Sequence, residues 1–422
     1  VGWSLLLFLA LLGVPATADP ACAWGGQVST DAVNALFPEN HAAYWSFNYT
    51  TRPGLHVRLT GVFPESRFMS LSVYKGEGGA FSTNGVESTL TDFEIMADTG
   101  TSNPWRTRGA APGTFTVDLV ESPEPGATNV LPLAPLDTPA GTQGRLVFRV
   151  YLPAGGSWAS VPLPAVTIVE DESSPPLPSC GAAPLPSGSD VPLPSGSDVP
   201  LPSGSDSPLP SGSDAPLPGM AASGVLFVRP PADLGILPNT DTGYLAVTTT
   251  PPTGDQVLVI RGRGASSADG VHPAVWPRRG VDLRYWSLCS NLNNAQRALV
   301  ANPMPDGSID YGCRNDDETL LDRHGYYTYV MGTETQRARI ESVPGLTFVP
   351  WSAARPAAQH VLFLRNMLAN SRFAEAIQNV TAINDADGAR AVMRSYYPET
   401  AVCALATLEA HHGCGCGVVT TE

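Results

Sequence analysis

Asn239, Asp241, Tyr244, Arg284, Trp286 and Arg365 are the residues of this sequence with the most chemical potential. A carboxylate, two guanidinium groups, an amide and two aromatic rings, each beside an apolar strand-like run, can build a ligand site. Asp241 and Arg284 could form a charge-assisted pair in a pocket, with Tyr244 and Trp286 as an aromatic wall. The same residue types have a structural use as well. Asn and Asp ahead of a strand bond the backbone and fix a turn. Arg67 and Arg149, like Arg284 and Arg365, lie beside apolar strand residues, where a guanidinium must be paired or reach water.

Other chemical signals are sparse. The chain has no nucleophile elbow, phosphate-binding loop, His-Glu-x-x-His pattern or dinucleotide fingerprint. Asp316-Asp317-Glu318, beside Arg314, reads as a solvated acidic run without EF-hand spacing. Adjacency along one loop does not set two carboxylates across a scissile bond. His411-His412-Gly413-Cys414-Gly415-Cys416 offers soft ligands without the paired spacing of a zinc site. No metal and no cofactor are expected.

The elements that would position these residues recur. Tyr44-Trp45-Ser46-Phe47-Asn48-Tyr49 alternates like a strand, and a strand closed by Gly61 and then Arg67-Phe68-Met69-Ser70-Leu71 follow. The second half repeats this order with Gly243-Tyr244-Leu245-Ala246-Val247, a strand closed by Gly262, and Arg284-Tyr285-Trp286-Ser287-Leu288. Further on, Gly113 to Val117 answers Gly325 to Tyr329. Leu131-Pro132-Leu133 answers Val349-Pro350-Trp351, and Leu146 to Arg149 answers Leu362 to Arg365. Short β-branched and aromatic runs punctuated by Gly, Pro, Asn and Asp predict a mainly β fold: two related antiparallel β-sandwich or jelly-roll modules. Short helices are expected at the edges, over Ser29 to Phe37, Phe373 to Asn379, Asp387 to Tyr396 and Thr400 to His411.

Asn239-Thr240-Asp241-Thr242-Gly243-Tyr244 and Arg284-Tyr285-Trp286-Ser287 resemble motifs of a group of uncharacterised exported bacterial and algal proteins with tandem jelly-roll-like domains of unknown function. The first half, through Tyr44-Trp45, Arg67 to Tyr74, Ser102-Asn103-Pro104 and Arg149 to Pro153, is similar to the companion domain of that group, without the Asn-x-Asp-Thr-x-Tyr motif. The resemblance implies a fold and no established activity.

Leu5 to Leu12 followed by Ala16-Thr17-Ala18 reads as a signal peptide over residues 1–18. The modules are then expected at 19–173 and 219–400, with a Cys/His-containing tail at 401–422. Between the modules, residues 174–218 carry the octapeptide Pro-Leu-Pro-Ser-Gly-Ser-Asp-x, which cannot bury a core and reads as a spacer. In an exported chain the seven cysteines favour disulfides. Cys289 with Cys313 is the preferred pair, and Cys22 with Cys403 the second. Asn48 and Asn379 begin glycosylation sequons.

A net charge of −15 with no basic run excludes nucleic-acid partners. No segment after the leader is long enough to cross a bilayer as a helix. The expected location is secreted, extracellular or cell-envelope. The expected function is non-catalytic binding of a glycan or cell-surface ligand. The alternatives are a hydrolase or lyase on an extracellular polymer with its site in the second module, and a structural envelope or matrix protein.

Overall fold

Alternating apolar residues in the sequence runs above form short strands, and in the computed structural model these pair into four main sheets. The structure describes residues 20–75, 79–180, 226–231, 239–268, 270–294 and 296–410. The expected signal peptide and nearly all of the octapeptide segment lie outside them.

The first half contains β1 (Ala42–Thr50), β2 (His56–Val62), β3 (Ser66–Tyr74), the short pair β4 (Ser82–Thr83) and β5 (Val86–Glu87), and β6 (Thr89–Thr91). It continues through β7 (Thr114–Val120), β8 (Val130–Pro132), β9 (Gln143–Pro153) and β10 (Ala165–Ile168). The second half has β11 (Thr242–Thr249), β12 (Gln256–Arg263), β13 (Leu283–Leu292), the hairpin of β14 (Ala301–Pro303) and β15 (Ile309–Tyr311), and β16 (Cys313–Asn315). It ends with β17 (Tyr326–Gly332), β18 (Thr347–Pro350), β19 (His360–Ala369) and β20 (Glu399–Ala404).

Two sheets form each sandwich, and the strand orders match. β1-β9-β3-β6 corresponds to β11-β19-β13-β16, and β10-β2-β7-β8 to β20-β12-β17-β18. Even the exceptions coincide, because β7–β8 and β17–β18 are parallel pairs in otherwise antiparallel sheets. The fold is therefore mainly β, with two related sandwich modules. The glycine that closes β2 and β12 has one physical reason in both. Gly61 faces Phe115 and Gly262 faces Tyr327 across the ladder. A Cβ would come within 2.7 Å of the Phe115 ring and 2.5 Å of the Tyr327 hydroxyl.

Each module buries its own core, including Trp24, Phe47, Leu59 and Phe148 in the first and Leu245, Ile260, Trp286 and Leu364 in the second. Yet β3 and β13 are buried along their whole length, on both faces. Each sheet has a second partner, and it is the other half: Ala42, Phe68 and Tyr151 pack with Tyr285 and Met367. The modules are docked against each other.

Several local expectations change. Ser29 to Phe37 is not a helix but a strap laid over the second module. The amides of Leu36 and Phe37 donate to Gln296 O and Arg297 O, and the Asn34 side chain bonds both backbone groups of Leu299. Its sequence mimics a capped helix, but the tertiary bonds win. Between Phe373 and Asn379 only one 3-10 turn forms, Ile377–Asn379. Thr400 to Ala404 belongs to β20, which pairs with β12 and crosses the expected 400/401 boundary. Only Leu405–Ala410 is helical there. The helix Ala386–Met393, capped by the Asp385 side chain, occurs where its periodicity predicts it.

Cys289 and Cys313 are bonded, as expected. Cys22 is not bonded to Cys403 but to Cys180, closing the first module at its two ends. Cys403 is disulfide-bonded as well. The sequence pairing rested on nearness to the chain ends, whereas Ala23 bonds Pro178 and brings the Cys22 and Cys180 segments side by side. No helix among the described residues is long and apolar enough to cross a membrane.

Candidate functional site

The four strand arginines meet where the modules dock. Arg284 Nη1 donates to Asp92 Oδ2 at 3.1 Å and to Arg67 O at 2.9 Å, with both charged side chains fully buried. Arg67 makes the reciprocal contact: its Nη1 donates to the two Asp316 oxygens at 2.6 and 2.7 Å, and its Nη2 to Asp317. The acids occupy matching places, since Asp92 N bonds Met69 O and Asp316 N bonds Trp286 O, two residues beyond each arginine. Burial pushes Asp92 and Asp316 up to about 6 against the pull of their arginines. Of the acidic run, Asp317 and Glu318 are exposed as a solvated run would be, and Asp316 is the exception. Asp316 is buried and pairs across the interface, because a buried Arg67 needs a counter-charge.

Opposite each arginine the ladder skips a leucine. Leu152 and Leu368 have φ of 48° and 45°, and their amides turn to His41 O and Asp241 O. This aligns Glu39-Asn40-His41-Ala42-Ala43-Tyr44 with Asn239-Thr240-Asp241-Thr242-Gly243-Tyr244, so the first module carries a divergent version of the motif. Each tyrosine lies under an arginine: Tyr44 under Arg149 at 5.3 Å and Tyr244 under Arg365 at 5.9 Å.

The two copies differ in charge. In the first, His41 lies 3.1 Å from Glu318 and 3.7 Å from Glu39. Burial disfavours its charge, but the two carboxylates raise it to about 9, so it is an imidazolium at neutral pH. Glu39 also accepts from Tyr285 and lies 3.7 Å from Arg365. Burial works against its ionisation, yet Arg365 and His41 hold it below the usual carboxylate range. In the second copy Asn239 Oδ1 accepts from Asp241 N at 3.1 Å, which is the turn the sequence allows. Asp241 Oδ2 is buried with no hydrogen-bond partner, and burial raises the carboxyl to about 7 despite Arg149.

Asp241 lines a cavity of about 280 Å³ with Thr240, Leu368, Ala369, Asn370, Ser371, Gln378 and Asn379. Gln378 Oε1 is a second buried atom without a partner there. The volume lies near the lower end of the ~300–1,000 Å³ range of small-molecule sites.

The six sequence candidates therefore separate. Asn239 and Asp241 form the turn at the cavity. Tyr244, pushed up to about 12 chiefly by burial, sits with Arg365 in the docked interface. Arg284 bonds Asp92 and not Asp241, and Trp286 packs in the second core with its Nε1 on Ala265 O. Asp241, Tyr244, Arg284 and Trp286 do not make one pocket. Asn379, the second sequon, lines the cavity; Asn48 accepts from Arg145 on β1. A Ser290–His360 contact of 2.9 Å has nucleophile–base chemistry, but both residues are wholly buried, and burial lowers His360 to about 4.

Sequence reasoning missed Glu39, His41, Asp92 and Gln378. Aligning the two modules on Tyr44 and Tyr244 would have revealed the first two. Asp92 and Gln378 had no local signal.

No protein-family model matches this chain, and no curated protein matches it in sequence. An uncharacterised protein from Burkholderia cenocepacia shares the fold, with a TM-score of 0.51 and 12% identity over 96% of this chain and 87% of its own. A Vibrio parahaemolyticus protein aligns with a TM-score of 0.41 and 12% identity over 87% of this chain and 91% of its own.

Proposed function

We propose that this is an exported protein of two β-sandwich modules, the first at 19–173 and the second from 219 through the end of β20, that binds a glycan or similar polyhydroxylated cell-surface ligand without transforming it. The observation that carries this reading is the pair of orphaned acceptors, Asp241 Oδ2 and Gln378 Oε1, at a small polar cavity. Buried acceptors without partners are costly, and hydroxyl groups of a sugar would satisfy them. Among the described residues of the lining, Asp241 alone is titratable, which favours binding over hydrolysis or elimination. Two disulfides fit an oxidising compartment. The motif resemblance to exported tandem jelly-roll proteins belongs to the same proposal.

The test is a glycan array and polysaccharide pull-down with the full chain and with Asp241→Asn. Binding by wild type that the variant loses supports the reading. A wild-type chain that retains no glycan would sink it.

A further inference from the structure

The walls of the Asp241 cavity are rich in oxygen acceptors. Gln378 Nε2 donates to Asn366 O at 2.6 Å. Asn379 Nδ2 donates to Phe373 O and Ala374 O at 3.2 and 3.0 Å. Asn370 Nδ2 donates to Arg278 O and Val281 O at 3.0 and 3.1 Å. Each side-chain amide of the lining thus donates to backbone carbonyls, Asn370 and Asn379 with two bonds each and Gln378 with one. The acceptors left over are oxygens: the Asp241 carboxylate and the Gln378 amide carbonyl, each with a buried atom that has no partner, beside the hydroxyls of Thr240 and Ser371. A hard cation takes carboxylate, carbonyl and hydroxyl oxygens of this kind.

The matched module gives an independent reason. There, the corresponding place is filled by a positive group, the His41 imidazolium between Glu39 and Glu318. Glu94 is the counterpart of Glu318, since each accepts from the backbone amide three residues earlier, at Thr91 and at Asn315. Beside Asp241 the acid is kept while the imidazolium is gone. Glu94 and Asp92 both bear on Asp241 electrostatically, and so do Arg149 and Arg284. Neither arginine hydrogen-bonds Asp241: Arg284 is bonded to Asp92, and Arg149 to Ser70, Tyr74 and the Tyr44 ring, although Arg149 Nε and Arg284 Nε and Nη2 keep no partner. The second module is short of one cation at this position.

We infer that the Asp241 cavity binds a divalent cation of the calcium class, held by Asp241 with the carbonyl oxygens of Gln378 and Asn379. The ion then presents open coordination positions to ligand hydroxyls; this last step rests on the glycan reading above, whereas ion binding stands on the cavity itself. One carboxylate is few for calcium, which places the affinity at the weak, extracellular end, ~0.1–1 mM.

The experiment is calorimetric titration of the full chain with calcium chloride in glycan-free buffer at pH 7.5, with magnesium chloride as comparison. One calcium site in that range is expected, with weaker magnesium binding, and an affinity loss of about tenfold or more in Asp241→Asn. Gln378→Ala, which leaves the carboxylate in place, should weaken calcium severalfold with unchanged unfolding in chelator. No calcium binding by wild type, or equal binding by both variants, overturns the inference. Glycan capture that survives chelation overturns the bridging role while leaving the glycan reading intact. Calcium binding with an array that stays blank overturns only the glycan reading.

Discussion

His41 and Asp241 hold the same place in the two modules, each giving its carbonyl oxygen to the amide of a left-handed leucine, Leu152 at 3.0 Å and Leu368 at 2.8 Å. The backbone frame is shared, and the side-chain chemistry has diverged. His41 is locked between two carboxylates at the interface, whereas Asp241 keeps an unbonded oxygen at a cavity. One copy of the motif holds the modules together. The other leaves an acceptor without a partner beside a cavity.

The His41 contact should make stability depend on pH on the alkaline side. Its folded value of about 9 lies above the ordinary 6.5. Its contribution is therefore full below pH 6.5 and lost as pH rises through 9, up to about 3 kcal/mol. Asp92, Asp316 and Asp241 are also raised, but only to about 6, 6 and 7, so their losses are largely complete by pH 8. Thermal unfolding should fall in midpoint between pH 8 and 9.5 in wild type, and His41→Gln should flatten that slope. An equal slope in both would refute the assignment.

Arg284→Ala strands the buried Asp92 carboxylate and should cost about 3–5 kcal/mol in denaturant unfolding. Replacing the pair together, Arg284→Met with Asp92→Leu, should recover most of that loss, because desolvation rather than attraction dominates. A double variant as unstable as Arg284→Ala would contradict this account.

Docking through buried β3 and β13 makes the connecting segment dispensable for association. With a protease site introduced among residues 184–215, the cleaved halves should elute together in gel filtration at micromolar concentration. Separate elution would mean that the interface is too weak to hold without the tether.

Much of this architecture was legible in the chain. Paired motifs such as Arg67-Phe68-Met69-Ser70-Leu71 and Arg284-Tyr285-Trp286-Ser287-Leu288 disclosed two related modules, because strand periodicity and turn residues are local signals. The glycines closing β2 and β12 were visible without their reason, which is the aromatic ring on the facing strand. Docking was not legible. Arg67 finds Asp316 in the other module, and nothing near either residue names its partner. For the same reason the burial of Asp316 is not legible beside the exposed Asp317 and Glu318. The cavity gathers residues from two distant segments, 240–241 and 368–379, which only the fold brings together.

Gly61→Ala and Gly262→Ala should each destabilise the protein by about 1–3 kcal/mol through collision with Phe115 or Tyr327. Pairing Gly61→Ala with Phe115→Leu should restore part of the loss in urea unfolding. A neutral Gly61→Ala would show that the ring has room to move.

The most direct measurement is the glycan-binding isotherm of the full chain beside Asp241→Asn and His41→Gln, at matched unfolding midpoints. If the ligand site is the Asp241 cavity, Asp241→Asn loses binding about tenfold or more and His41→Gln keeps it. Loss in His41→Gln with retention in Asp241→Asn would contradict the account and put the site at the other copy of the motif.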